Sequence, residues 1–280
     1  MDQESFKKME IKNKYAFIGA GNMGQALIKG ARESGIAGEN INISDPSIDV
    51  RKKCASVLKV NTFSDNRSAT ENADIVVFSV KPQEIKSAMR SISFTTKKDV
   101  LYISVAAGVT LRQLRASIGE KASIVRCMPN TPAIIRSGIT ALIANNDVTK
   151  NQCLDAESLL AAVGKTVWLE DESLMDAVTA VSGSGPAYFF LLIELLENTA
   201  VELGLPPELA NELAVETAFG ACKLAKNASE APSQLRKNVT SPNGTTEAAL
   251  KVFVEEKIER TVRLAITAAR DRSIELAKGG

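Results

Sequence analysis

Two stretches of this chain carry residues spaced for chemistry, and a third resembles them without needing a ligand to explain it. Tyr15–Gly24 reads YAFIGAGNMG, an apolar run that breaks into G-x-G-x-x-G and continues as a helical pattern through Gly30. Where a buried strand turns straight into a helix, Gly19 permits the tight turn and Gly21 lets a pyrophosphate approach the backbone. Gly24 then lets the helix pack closely. The free N–H groups and dipole of that helix favour phosphate. Thr240–Thr246 reads TSPNGTT and runs into EAAL, a hydroxyl-rich turn delivering a helix N-terminus. Such an end offers backbone N–H groups, hydroxyls and a favourable dipole to a small anion such as a carboxylate. A plain N-cap from Thr245 or Thr246 is the competing explanation, although a cap needs only one such residue. Ser182–Tyr188, SGSGPAY, opens the most apolar segment; a helix start with Pro186 in its first turn accounts for it, with the serines as caps.

The 280 residues contain no histidine. That excludes Ser-His-Asp hydrolysis, histidine-ligated metal and every dehydrogenase whose acid/base is histidine. Cys54, Cys127, Cys153 and Cys222 are scattered without a C-x-x-C pair, so they read as reduced thiols of a cytoplasmic protein and no metal site is expected. With 34 basic and 33 acidic residues interspersed, the net charge is +1, and no nucleic-acid or membrane-surface partner is implied. Ala187–Leu196 carries Glu194 and is too short by itself to span a bilayer.

The elements that must position these residues come in two sets. Apolar runs at Tyr15–Gly19, Ile41–Ser44, Asp74–Val80, Val100–Val105, Ser123–Cys127 and Ile139–Ala144 read as strands. They alternate with helical stretches at Asn22–Ser34, Pro82–Ser91, Leu111–Ile118 and Asn151–Val163. Continuous apolar strands alternating with helices predict an α/β fold with a parallel, doubly wound sheet, which binds ligands at its strands' carboxyl ends. From Glu172 the pattern is helical: Pro186–Leu203, Glu208–Lys226 and one long helix from Thr245. This predicts a dinucleotide-binding domain over 1–172, with a loose leader at 1–14, and an all-α domain over 173–280. The apolar surface of Ala187–Leu196 exceeds what a helical domain of about 100 residues can bury alone, which favours a dimer core.

Taken together, these residues resemble pyrroline-5-carboxylate reductase over nearly the whole chain after the leader. The resemblance rests on Phe17–Gly24, Val80-Lys81-Pro82-Gln83, Ala106–Val109, Arg126–Pro132 (RCMPNTP), Ser182–Tyr188 and Ser241–Thr246, in that order. It implies an N-terminal Rossmann-type domain followed by an α-helical dimerisation domain. It also implies reduction of 1-pyrroline-5-carboxylate to proline with NADPH or NADH, the last step of proline synthesis. Ile18, Gly19, Ala20, Gly21, Asn22, Met23 and Gly24 would cradle the pyrophosphate. Asn66, Val80, Lys81, Pro82, Ala107 and Gly108 would line the rest of the dinucleotide, with Asn238 reaching it near the substrate. Glu172, Thr245 and Thr246 would contact the substrate ring, Ser241 and Gly244 would shape the carboxylate pocket, and Thr246 would serve catalysis by hydrogen-bonding the ring nitrogen. Partners implied are a cyclic imine carboxylate and a homodimer through the helical domain, with decamers in some relatives. Asn243 stands where many relatives have glycine, and asparagine tolerates the left-handed turn best among the others.

Asp45, just after the second strand, sits where an acidic residue usually takes the ribose 2′-hydroxyl and repels a 2′-phosphate. Arg51, Lys52 and Lys53 follow it, so NADP and NAD both stay open. A protonated cyclic imine needs little enzymic acid, which suits a chain without histidine. The alternatives are another imine reductase, a β-hydroxyacid dehydrogenase and a dinucleotide-binding regulator without turnover. The dehydrogenase reading lacks its helix lysine in Ala187–Leu196.

Overall fold

A computed structural model describes residues 13–92 and 99–278, so all but the last two residues of the expected leader lie outside the described residues. The chain forms two compact units, Met1–Gly183 with Arg270–Gly280, and Ser184–Ala269. In the first unit the strands are β1 (Tyr15–Ile18), β2 (Ile41–Ser44), β3 (Asn61–Phe63), β4 (Ile75–Phe78), β5 (Leu101–Ser104), β6 (Ser123–Met128), β7 (Gly138–Ala144) and β8 (Gly164–Trp168). They form one sheet in the order β3-β2-β1-β4-β5-β6-β7-β8. Between them run α1 (Asn22–Glu33), α2 (Ile48–Lys53), α3 (Asn66–Thr70), α4 (Ile85–Arg90), α5 (Leu111–Ile118) and α6 (Lys150–Ala161), and α7 (Met175–Val178) follows β8.

Alternation along the strands explains the two faces. Phe17, Ile43, Val77 and Ile103 point into one buried cluster with Leu27 and Ile28 of α1 and Leu159 and Leu160 of α6. Ala16, Ile18, Val76 and Phe78 point the other way, against Ile85 and Met89 of α4 and Leu114 of α5. Strands buried on both faces must be apolar throughout, which is why the central ones are conspicuous in the sequence.

The sheet departs from the expected all-parallel arrangement at one place: β7 runs antiparallel to β6. The connection Pro129–Ser137 is too short for a parallel crossover, which needs about a dozen residues or more. Antiparallel pairing is the only outcome so short a link permits. The sequence reading also lacked the two edge strands. β3 is three residues long, and β8 alternates between half-buried and exposed positions without an apolar run.

Strand register sets up the first unit's chemistry. Ile18 pairs with Ser44 on one side and Phe78 on the other, and Phe78 pairs with Ser104. The segments leaving these four residues therefore emerge side by side at one sheet edge. Between β1 and β4 the chain direction across the sheet reverses, which is where open α/β sheets bind ligands.

The second unit contains α8 (Gly185–Glu202), α9 (Pro207–Asn227), α10 (Pro232–Asn238), α11 (Thr245–Glu255) and the first part of α12 (Ile258–Lys278). The single long helix expected from Thr245 is two helices, broken where Lys257 adopts φ 56°. Neither glycine nor proline marks that break in Glu255-Glu256-Lys257-Ile258, so local propensity could not reveal it. Within this chain α8 buries only Gly185, and Phe190 remains 64% exposed and Leu192 49%. The helical run containing it extends over Glu172–Glu202, because α7 and a π-helical turn at Thr179–Gly183 lead into it. By length and composition alone that 31-residue run is long and apolar enough to cross a membrane, a test that the ten residues Ala187–Leu196 by themselves are too short to meet.

Candidate active site

The first functional cluster is the turn from β1 into α1. Gly19 has φ +85°, its N–H donates to Ser44 O at 2.8 Å, and its carbonyl accepts from Ser79 Oγ at 2.6 Å. The Ala20 N–H donates to Asp45 Oδ2 at 3.0 Å. The glycines meet three different surroundings. A Cβ on Gly19 would lie 2.8 Å from Val80 Cγ1, and one on Gly24 would lie 2.8 Å from both Gly19 O and Ser79 Oγ. A Cβ on Gly21 would meet no atom within 4 Å. The protein therefore fills the space beside the outer two and leaves the middle one open. Gly21 is also the N-cap of α1, with no side-chain cap and no acidic residue in the first turn. The helix's first N–H groups and positive dipole end face that opening with Asn22 and Met23, which suits a pyrophosphate.

The other expected dinucleotide residues follow strands that end in register with β1. Asp45 spends one carboxylate oxygen on Ala20 and the other on Ser47 N–H, at 2.9 Å. Arg51 Nη1 donates to the carbonyls of Asp45 and Pro46, at 2.6 and 2.9 Å, which pins a guanidinium beside the same loop. Asn66 accepts from Ser44 Oγ at 2.5 Å and donates to Ser91 Oγ at 2.9 Å. Val80 abuts Gly19, and exposed Lys81 precedes the turn Pro82–Glu84. Ala107 and Gly108, the latter at φ +71°, occupy the turn after β5. Pro82, Ala107 and Gly108 share a cleft of about 560 Å³ with Lys86, Gln113 and Leu276.

Two contributors here escaped the sequence reading. Ser79 fixes the glycine turn; the sequence places it inside the run Asp74–Val80, whereas β4 ends at Phe78. Leu276 comes from the far end of the chain, packing beside Gly108 while Gln113 Nε2 donates to Ala277 O at 2.8 Å. No local pattern links positions so distant.

The second cluster, in the helical unit, is the turn before α11. Asn243 has φ 59°, the left-handed conformation expected of it, and its N–H donates to Glu247 Oε2 at 2.7 Å. Gly244 is the N-cap, no side chain caps the helix, and Thr245 and Thr246 are its first two residues. The plain-cap explanation fails, because neither threonine occupies the capping position. Ser241 lies one turn earlier, its carbonyl accepting from Gly244 N–H at 3.0 Å. Asn238 closes α10 and accepts from Gln234 Nε2 at 2.8 Å. The serines of Ser182–Tyr188 do not cap α8; Ser182 Oγ instead donates to Val178 O at 3.0 Å.

Glu172 lies in the first unit. Its Oε1 accepts from Arg126 Nη1 at 2.6 Å and from Leu111 N–H at 2.8 Å. Burial pushes the Cys54, Cys127 and Cys153 thiols up, so none is tuned as a nucleophile.

Known proteins match this arrangement closely. The family model described as pyrroline-5-carboxylate reductase dimerisation matches residues 172–276, and one described as NADP oxidoreductase, coenzyme F420-dependent, matches 14–108. The pyrroline-5-carboxylate reductase of Pseudomonas aeruginosa is 46% identical over 94% of this chain and 96% of its own. A solved pyrroline-5-carboxylate reductase from Coxiella burnetii superposes with a TM-score of 0.89 at 39% identity, covering 95% of this chain and 98% of that one. The pyrroline carboxylate reductase of Plasmodium falciparum, solved with NADP bound, gives 0.86 at 30% identity, covering 95% and 98%.

The different surroundings of the glycines predict different failures. Gly21→Val should keep the wild-type melting temperature but weaken NADPH binding at least tenfold in a fluorescence titration, because the added atoms enter only the open space. Gly24→Val should unfold more easily by about 1–3 kcal/mol in denaturant, as overpacking does.

Proposed function

The chain belongs to the pyrroline-5-carboxylate reductase family, and from that premise we infer that it reduces 1-pyrroline-5-carboxylate to L-proline with NADPH or NADH, completing proline biosynthesis. When bound, the dinucleotide supplies the hydride. What this chain's own residues contribute is binding and orientation.

The observation carrying the reading is a pair of uncapped helix N-termini, each built on a glycine, in two different units. The one at Gly21 suits a pyrophosphate, with Ile18–Gly24, Asp45, Asn66, Val80–Pro82, Ala107 and Gly108 as dinucleotide residues. The one at Gly244 suits a carboxylate, with Ser241, Gly244 and Thr245 holding it, Thr246 hydrogen-bonding the ring nitrogen, and Asn238 reaching the cofactor. We keep the division of labour between a dinucleotide-binding domain over 1–172 and a helical domain over 173–280; the match to the dimerisation model covers 172–276, whereas the compact units divide after Gly183, with Arg270–Gly280 in the first. Proton supply needs no histidine if the imine binds in its protonated form, whose positive charge the substrate's own carboxylate balances.

The helical region is an oligomerisation domain. We propose a homodimer in which a second copy covers the exposed apolar residues of α8, with decamers as a further level of assembly. This cover, not a bilayer, is the reading favoured for Glu172–Glu202, and it leaves the enzyme free in the cytoplasm. The four free thiols, two of them buried, suit that reducing compartment.

Two substitutions test the assignments. A hydrogen bond to a charged group is worth about 1.5–3 kcal/mol, so Thr246→Ala should lower kcat/KM for pyrroline-5-carboxylate at least tenfold. Wild-type turnover in that variant would remove Thr246 from the mechanism. Asp45→Ser removes the carboxylate that repels a 2′-phosphate and should shift the NADPH:NADH ratio of kcat/KM toward NADPH. It also frees the Ala20 N–H, so both cofactors should bind more weakly; an unchanged ratio would place discrimination elsewhere.

A further inference from the structure

The loop Val105–Thr110, between β5 and α5, is anchored by an ion pair that the reaction itself does not call for. We propose that Arg126 and Glu172 are positioning residues that fix this loop for dinucleotide binding; the proposal rests on reading Ala107 and Gly108 as dinucleotide contacts.

One line of contacts joins the pair to the loop. Arg126 lies on β6, inside the sheet, and its side chain is 4% exposed. A guanidinium so buried must keep a carboxylate partner, and Glu172 supplies it at 2.6 Å. The same oxygen, Oε1, accepts the Leu111 N–H at 2.8 Å. Leu111 is the first residue of α5, so its N–H has no partner within the helix, and a carboxylate there also meets the favourable end of the dipole. Glu172 thus ties the start of α5 to the middle of the sheet. Thr110 and Gln113 complete the helix start with a reciprocal capping box.

Gly108 lies three residues before the anchored N–H, at φ +71°. On its other side the loop meets Leu276, and Gln113 Nε2 holds the Ala277 carbonyl. The loop is therefore bounded by the final turns of α12 and tethered by Glu172. Only the tether is electrostatic and fixed to β6. Removing the Glu172 charge leaves the loop's following helix without its anchor and Arg126 without its counter-charge.

This role differs in a measurable way from a direct contact between Glu172 and the imine. Glu172→Gln should raise the NADPH Kd about tenfold in a fluorescence titration without imine, and leave the imine KM at saturating NADPH within twofold. Because Glu172→Gln strands a buried cation and can unfold the protein, Arg126→Gln/Glu172→Gln provides a neutral pair. It should melt at or above the temperature of the single variant and keep the raised Kd. A raised imine KM with an unchanged NADPH Kd would overturn the proposal and make Glu172 a substrate contact. A wild-type Kd in the double variant would also overturn it. Gly108→Ala separates the two levels. If it raises the NADPH Kd while Glu172→Gln does not, the positioning pair alone fails. If neither variant changes the Kd, the reading of the loop fails with it.

Discussion

The rest of this structure depends on one bare stretch of backbone, held rigidly on both sides. At Gly21 the chain leaves open space beside the first N–H groups of α1, where we propose that a phosphate sits. The neighbouring glycines are packed against Val80, Ser79 and each other, so the opening is a fixed shape and not a loose loop. Ser44, Asp45 and Ser79 each donate to or accept from the turn, and all three follow or end strands in register with β1. Preorganisation of this kind lowers the ordering cost of binding. The two Asp45 oxygens hold the turn through the Ala20 and Ser47 N–H groups.

The second constraint is surface. The helical unit displays more apolar side chain than it can hide, and that excess belongs to the region matching the family's dimerisation model. The division of labour also fits the absence of histidine. An electrophile that arrives protonated asks the enzyme chiefly for position, which hydroxyls and backbone N–H groups can supply.

Much of this was legible in the residues. Strands buried on both faces announce themselves as apolar runs, so β1, β2, β4, β5, β6 and β7 were found to within about two residues, the ordinary uncertainty of element ends. The edge strands β3 and β8 carry no such signal. The reversal of β7 follows from a short connection, which a strand-by-strand reading overlooks. The G-x-G-x-x-G turn was readable because each glycine answers a separate steric demand. Ser79 and Leu276 were not, because their roles arise from tertiary approach. Glu172 shows the limit from the other side: resemblance implies a substrate contact, and the bonds of its carboxylate to Arg126 and Leu111 arise from tertiary approach that no local pattern reveals.

The central claim is direct hydride transfer from a dinucleotide held at Gly21 to a carboxylated imine held at Gly244–Thr246. Incubating the protein with 1-pyrroline-5-carboxylate and NADPH carrying deuterium at both C4 positions, then analysing the proline by mass spectrometry, tests it most directly. The account predicts one deuterium per proline, on the former imine carbon, with one cofactor oxidised per proline formed. Proline without deuterium, or cofactor that binds without being oxidised, would contradict it.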